Sequence, residues 1–108
     1  MDSLSVFQRL DKVIHSRKSA SPTDSYVAKL FAKGSNEILK KVIEEAGEVV
    51  LASKDGNKKG ITGEVADLWF HVLVLLAYHD IHPDSILDEL EGREGLSGIV
   101  EKDRRTNS

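Results

Sequence analysis

Residues 64–76 read EVADLWFHVLVLL, and this stretch decides the fold. At about 100° per residue, its apolar side chains cover almost the whole circumference of a helix. They are Val65, Ala66, Leu68, Trp69, Phe70, Val72, Leu73, Val74, Leu75 and Leu76. A helix that is apolar all round is typical of a buried helix. The stretch therefore predicts a buried central helix over about residues 62–79.

The only polar stripe on this helix consists of Glu64, Asp67 and His71, spaced about one turn apart. Burying an unpaired carboxylate is costly, so these acids need a cation, a hydrogen-bond donor or water. An alternative is that Glu64 and Asp67 only complement the helix macrodipole, an effect of about 0.3–1 kcal/mol. For His71 we expect a hydrogen-bonded, partly buried ring without a chemical role.

Working outward, apolar residues at three- and four-residue steps predict a first helix over residues 4–16. Asp24 or Ser25 is placed to cap a short second helix that ends at Gly34. A third helix runs from residue 35 or 36 to about 54, and residues 55–62 form the loop before the central helix. Pro83 begins a fifth helix that ends near Gly92 or Gly95.

No alternating strand pattern competes with these helices, so the predicted fold is all-α, an antiparallel helical bundle. The length of 108 residues suits one domain, which we place at residues 1–95, followed by a polar C-terminal tail at 96–108. A core of this size is marginal, which makes a partner subunit plausible.

Composition narrows the class of protein. The chain is 40% hydrophobic and 31% charged, has a net charge of -3 and contains no cysteine. The acidic balance argues against a nucleic-acid partner. The apolar run at residues 68–78 is shorter than the ~20 residues that span a bilayer. We therefore expect a cytoplasmic protein with neither nucleic acid nor membrane as partner.

The third helix carries three closely spaced acids, Glu44, Glu45 and Glu48. Alone they are typical of a solvated face. Opposite the central helix, however, Glu45 with Glu48 and Glu64 with Asp67 form two i,i+3 pairs that aim oxygens at a common point. Such oxygen-only ligands suit Mg²⁺, or Mn²⁺, which would also bind a substrate phosphate. One acid can then orient or deprotonate the attacking water.

Several segments together resemble the MazG-like all-α nucleotide pyrophosphohydrolases, and within them the phosphoribosyl-ATP pyrophosphatase family. They are residues 25–30 (SYVAKL) with Gly34, 40–46 (KKVIEEA), 66–76 (ADLWFHVLVLL) and 95–102 (GLSGIVEK), besides the acid pattern E44-E45-x-x-E48 and E64-x-x-D67. The likeness covers about residues 4–105. Ile43, where the family often has glycine, and Gly47 depart from the pattern without touching a candidate ligand.

The resemblance implies that phosphoribosyl-ATP is hydrolysed to phosphoribosyl-AMP and pyrophosphate, a step of histidine biosynthesis, by water attacking between the α and β phosphates. It assigns Glu45, Glu48, Glu64 and Asp67 to magnesium. Glu44 becomes a further ligand or positions the water, so that Glu44, Glu45 and Glu48 are the catalytic candidates. It also implies a bundle completed by dimerisation, as a homodimer or a larger homo-oligomer.

Candidate phosphate-binding cations surround the acids in sequence: Lys29, Lys40, Lys41 and Arg93. A polyphosphate substrate needs such partners beyond the metal. For Lys40 and Lys41, ordinary solvated lysines remain an equal alternative.

Three other functions fit parts of the pattern. The first is a pyrophosphohydrolase of other nucleoside triphosphates with the same chemistry. The second is a ferritin-like carboxylate redox bundle, which requires Glu-x-x-His pairs that Glu45 and Glu64 do not begin. The third is a non-enzymatic helical interaction protein with merely solvated acids.

Overall fold

A computed structural model describes the backbone of residues 3–95 and the side chains of residues 6–95. This part of the chain forms five helices and no strand. They are α1 (Ser3–Ser16), α2 (Tyr26–Lys33), α3 (Ser35–Asp55), α4 (Lys58–Tyr78) and α5 (Pro83–Gly92). The all-α prediction is confirmed. The predicted tail at 96–108 lies outside the described residues.

Local signals in the sequence explain where α2 and α5 begin and end. The Ser25 hydroxyl accepts a hydrogen bond from the backbone N–H of Ala28 at 3.2 Å, which caps α2. Gly34, at φ +96°, ends α2 in a conformation that a side chain would disfavour. Pro83 occupies the first turn of α5, where its missing N–H costs nothing.

The prediction that α4 begins at Thr62 is wrong by about one turn, because α4 begins at Lys58. The side chain of Asn57 caps it by accepting a hydrogen bond from the N–H of Gly60 at 3.1 Å. Gly56, at φ +72°, ends α3 immediately before. With only these two residues between them, α3 and α4 fold back as an antiparallel hairpin, which contains most of the packing between helices.

The hydrophobic core lies at the end of this hairpin that is remote from Gly56. Ile38 from the start of α3 and Val74 from the end of α4 are both fully buried. They pack with Ile14, Val27, Leu30, Leu73 and Ala77, so α1 and α2 cover this end of the hairpin. The half of the hairpin nearer the turn contributes no residue to this core.

The prediction that α4 is buried all round is wrong for a single chain. Its buried residues are His71, Leu73, Val74 and Ala77, all in its C-terminal half, whereas Trp69 is 55% exposed. The apolar side of α3 is likewise uncovered, with Ile43 at 74% and Val50 at 57% exposure. One chain therefore leaves a large apolar surface on both helices of the hairpin.

Within the described residues, α4 is also the one helix whose length and composition would permit it to cross a membrane. This is weak evidence for a membrane segment, because a core helix in a protein outside the membrane meets the same two criteria.

Candidate active site

Three carboxylates from the facing helices of the hairpin meet at one point. Glu45 on α3 and Glu64 and Asp67 on α4 each offer an oxygen, and the three oxygens lie within 4.8 Å of one another. Glu45 projects toward α4, which leaves its side chain only 14% exposed, while Asp67 is open to solvent. The centre is therefore anchored in the helix interface and accessible from one side.

The charges in this centre repel one another. Partial burial raises the pKa of the Glu64 carboxyl above its ordinary value, and the negative charges of Asp67, Glu48 and Glu45 raise it further. The macrodipole alternative does not explain this position, because α4 begins at Lys58 and Glu64 lies almost two turns into the helix.

The two other candidate acids of α3 lie differently. Glu48 is exposed and is outside the cluster of three oxygens, although its charge acts on Glu64. Glu44 faces lysines instead: its oxygens lie 3.4 Å from Nζ of Lys41 and 3.9 Å from Nζ of Lys40. The structure thus assembles Glu45, Glu64 and Asp67, with Glu48 beside them and Glu44 turned toward cations.

Within the described part of the chain, Lys41 is the cation in ion-pair range of a carboxylate of the centre. Its Nζ lies 3.5 Å from Oε1 of Glu45 as well as 3.4 Å from Glu44, and its side chain is only 25% exposed. Burial lowers the pKa of Lys41, but Tyr26 and the two carboxylates outweigh burial, so the net shift is upward. Lys41 therefore carries a positive charge at the edge of the carboxylate centre.

The other predicted substrate-binding cations lie elsewhere. Lys29 is an exposed residue of α2. Arg93 follows the end of α5, where its guanidinium donates a hydrogen bond to Glu89 at 3.3 Å. Their roles toward a substrate stay predictions.

His71 is hydrogen-bonded and buried as predicted, but its two partners could not be identified from the sequence. Nδ1 of His71 lies 2.8 Å from the carbonyl oxygen of Asp67, which can only accept, so Nδ1 carries the hydrogen and donates it. Nε2 of the neutral ring is then an acceptor, and the hydroxyl of Tyr26 donates to it at 2.8 Å. The histidine holds α2 against α4, and neither of its ring nitrogens belongs to the cluster of carboxylate oxygens.

Among the described residues, a groove lies between α1, α4 and α5, and none of the candidate acids lines it. Its lining is almost wholly apolar: Phe7, Trp69, Val72, Leu73, Leu76, Pro83, Ile86, Leu87 and Leu90. A site for a charged ligand needs polar groups that fix its orientation, and this groove lacks them. The carboxylate centre is therefore the better candidate for binding a charged ligand.

The sequence of this chain is similar to that of a known enzyme family and of several named relatives. Residues 7–94 match the family described as PRA-PH, phosphoribosyl-ATP pyrophosphohydrolase. A phosphoribosyl-ATP pyrophosphatase of Neisseria meningitidis serogroup B is 57% identical over 104 residues, which cover 96% of this chain and 97% of the relative. Relatives with the same name occur in Nitrosomonas eutropha, at 51% identity over 98% and 91% of the two chains, and in Chromobacterium violaceum, at 50% over 93% of each.

Proposed function

This chain belongs to the phosphoribosyl-ATP pyrophosphohydrolase family, and we infer that it is a hydrolase that converts phosphoribosyl-ATP to phosphoribosyl-AMP and pyrophosphate in histidine biosynthesis. We propose that it acts in the cytoplasm, which the absence of cysteine from the sequence also favours. Family membership leaves no support for a non-enzymatic interaction protein. A ferritin-like site is unsupported too, since no histidine joins the carboxylate centre within the described residues.

We propose that the carboxylate centre holds Mg²⁺, with Mn²⁺ as a substitute, through Glu45, Glu64 and Asp67. The observation that carries this is the approach of three oxygens from two helices to within 4.8 Å. Carboxylate oxygens are the donors that Mg²⁺ prefers, so this donor set fits the cation. Burial, and then the negative charges of Asp67, Glu48 and Glu45, raise the pKa of Glu64, and a dication at the centre would neutralise those charges.

When bound, the metal would supply positive charge to the substrate phosphates and lower the pKa of a coordinated water. Glu48 is exposed beside the three ligands, so it is placed to join them or to accept the proton of the attacking water. Glu44 has Lys40 and Lys41 as ion-pair partners. We therefore assign Glu44 to the orientation of this lysine pair or of the water.

Lys41 is the cation that we propose to contact the phosphates. It already lies between Glu44 and Glu45 at the edge of the centre. A neutralised Glu45 would hold it less tightly, which frees its ammonium for a phosphate oxygen. Lys29, Lys40 and Arg93 are proposed as outer contacts to the nucleotide.

We propose that the enzyme is a homodimer or a larger homo-oligomer. Leu39, Ile43 and Val50 lie within about 40° of one another around α3, and all three are more than two-fifths exposed. An apolar stripe of this kind beside a small core is best covered by a second copy of the same hairpin. The marginal core of one chain supports the same proposal.

The decisive experiment measures pyrophosphate release from phosphoribosyl-ATP with magnesium and with excess chelator. Glu48→Gln and Glu64→Gln are assayed beside Glu91→Gln, an exposed acid of α5 that serves as the matched control. We expect release only with magnesium, none with Glu64→Gln and normal release with Glu91→Gln. Absence of release from the unaltered chain contradicts the activity, whereas release that persists in chelator contradicts only the metal.

Substrate specificity has its own test. A panel of ordinary nucleoside triphosphates is compared with phosphoribosyl-ATP at equal concentrations, and the gene is introduced into a histidine auxotroph. Preferential turnover of phosphoribosyl-ATP and restored growth are expected. If the ordinary triphosphates are hydrolysed equally well and the auxotroph does not grow, the chain is instead a pyrophosphohydrolase of other nucleoside triphosphates. The acid pattern alone is compatible with that activity.

A further inference from the structure

A second cluster of metal-ligand type lies where the connection between α4 and α5 meets α1. Asp11 and His15 lie one turn apart on α1, and His82 immediately precedes α5. Nδ1 of His82 is 2.8 Å from Oδ2 of Asp11, and Nε2 of His15 is 3.3 Å from Oδ1 of the same carboxylate. One ligand atom from each residue lies within 4.8 Å of the other two.

We propose that Asp11, His15 and His82 form a second metal site, which takes a first-row transition-metal dication of the zinc class and ties α1 to the start of α5. Two imidazoles and one carboxylate suit such metals, unlike the oxygen-only set at the carboxylate centre. Donor atoms around tetrahedral zinc lie roughly 3.3 Å apart, which falls within the range of separations in this cluster. Three protein ligands leave the fourth position to water.

The local backbone brings the three ligands together, with Asp11 and His15 mostly buried and the His82 side chain 67% exposed. Asp11 and His15 have i,i+4 spacing, the spacing at which two side chains on one helical face can bind one metal. The extended backbone of His82, at ψ 149°, is the conformation that the following Pro83 favours. Asp11 is only 8% exposed, and Pro83 is also buried, so the atoms around the Asp11 carboxylate restrict its movement.

His15 supplies an independent observation. Its Nε2 is buried and has no hydrogen-bond partner. The 3.3 Å contact with Asp11 lies within ion-pair range but lacks the alignment of a hydrogen bond. Buried polar atoms are rarely left in this state, and a metal placed between this nitrogen and the carboxylate would satisfy both. A shallow opening beside Asp11, Lys12 and His82 gives access from solvent.

The expected consequence is a cross-link between distant parts of the chain. Residues 11 and 82 are far apart in sequence, and a metal that binds only the folded arrangement shifts the equilibrium toward it. The site is separate from the carboxylate centre in its residues, so it acts on stability without taking part in hydrolysis.

The test is calorimetric titration of the full chain with zinc, in the presence of millimolar magnesium that competes for the carboxylate centre. His82→Gln is compared with His79→Gln, an exposed histidine of the same segment that lies outside the cluster. We expect one tight zinc per chain in the unaltered protein and in His79→Gln, with a rise in the thermal midpoint. Loss of one imidazole ligand in His82→Gln should weaken binding by at least about tenfold.

His15→Gln provides a second variant in case His82→Gln alters the fold, which circular dichroism reports. The proposal is overturned if zinc binds the unaltered chain no more tightly than it binds either cluster variant. It is also overturned if zinc leaves the thermal midpoint unchanged. In that case Asp11 and the two histidines connect α1 to the start of α5 through polar contacts alone, without a metal.

Discussion

The hydroxyl of Tyr26 donates a hydrogen bond to Nε2 of His71 at 2.8 Å, and this contact joins α2 to α4 one helical turn after Asp67. The histidine is 7% exposed, and its other nitrogen is held by the carbonyl oxygen of Asp67. Asp67 accepts a hydrogen bond from His71 through its backbone carbonyl and contributes a side-chain oxygen to the carboxylate centre, so a chain of contacts links α2 to that centre.

Replacement of Tyr26 by phenylalanine should destabilise the fold. It leaves Nε2 of His71 as a buried acceptor without a donor, which costs about 1 kcal/mol or somewhat more. Urea denaturation of Tyr26→Phe measures the loss. Tyr78→Phe, which removes an exposed hydroxyl for which no hydrogen bond is described, serves as the control and should be neutral. Equal stability of the two variants would show that the contact contributes nothing.

The ionisation of Tyr26 should report occupancy of the carboxylate centre. Burial raises the pKa of this phenol; Lys41 opposes the shift, and Glu45, Glu37 and Glu44 add to it. In a Tyr78→Phe background Tyr26 is the only tyrosine, so phenolate absorbance follows it alone. We expect a pKa above 10 without metal and a lower one with magnesium, because the cation cancels the charge of Glu45. An unchanged titration curve would argue against magnesium beside Glu45.

The helices and the acid centre were predictable because each depends on local or periodic signals. Ser25, Gly34 and Pro83 mark helix ends by their own chemistry, and Glu45, Glu64 and Asp67 stand out as acids on helices that must face each other. Where the prediction was wrong, at the start of α4, the decisive signal was a cap. The sequence around Asn57 indicated a turn, yet the Asn57 side chain caps the start of α4 by accepting a hydrogen bond.

Contacts between distant segments were not predictable in the same way. Nothing near Asp11 in sequence indicates that His82 will meet it, since that pairing depends on how α5 folds back on α1. The exposure of Ile43 and Trp69 could not be predicted from the sequence for a related reason. Periodicity shows that a helix face is apolar, but it does not show whether the same chain or another copy covers it.

Glu64→Gln should separate stability from activity. The substitution removes one of the mutually repelling charges of the carboxylate centre, so the metal-free protein should become slightly more stable. Turnover should be lost, because the amide is a poor ligand for magnesium. Thermal melts with and without magnesium measure both effects: the unaltered chain should gain stability with magnesium, and the variant should not. A magnesium-dependent gain of equal size in both proteins would place the metal elsewhere.

Ile43→Lys should weaken self-association. Ile43 is 74% exposed in a single chain and lies in the apolar stripe of α3, so a lysine there places a charge in the proposed interface. Sedimentation equilibrium should show a smaller species or a dissociation constant raised by more than about tenfold, which corresponds to 1.4 kcal/mol. The control is Val13→Lys, a comparably apolar and half-exposed residue of α1. Dissociation by Val13→Lys but not by Ile43→Lys would move the interface to α1.

Two glycines of the hairpin should respond to alanine with opposite signs. Gly56 has φ +72°, a left-handed conformation that costs an alanine about 1–2 kcal/mol, and a Cβ there would meet no atom within 4 Å that could add a steric cost. Gly63 lies inside α4, and a Cβ there would also meet open space. Gly63→Ala should therefore stabilise the chain by about 0.5–1 kcal/mol through helix propensity. Urea denaturation of both variants in chelator measures the difference without the metal. Because both positions are equally open, a loss of stability in Gly63→Ala would indicate that a second chain packs closely against α4.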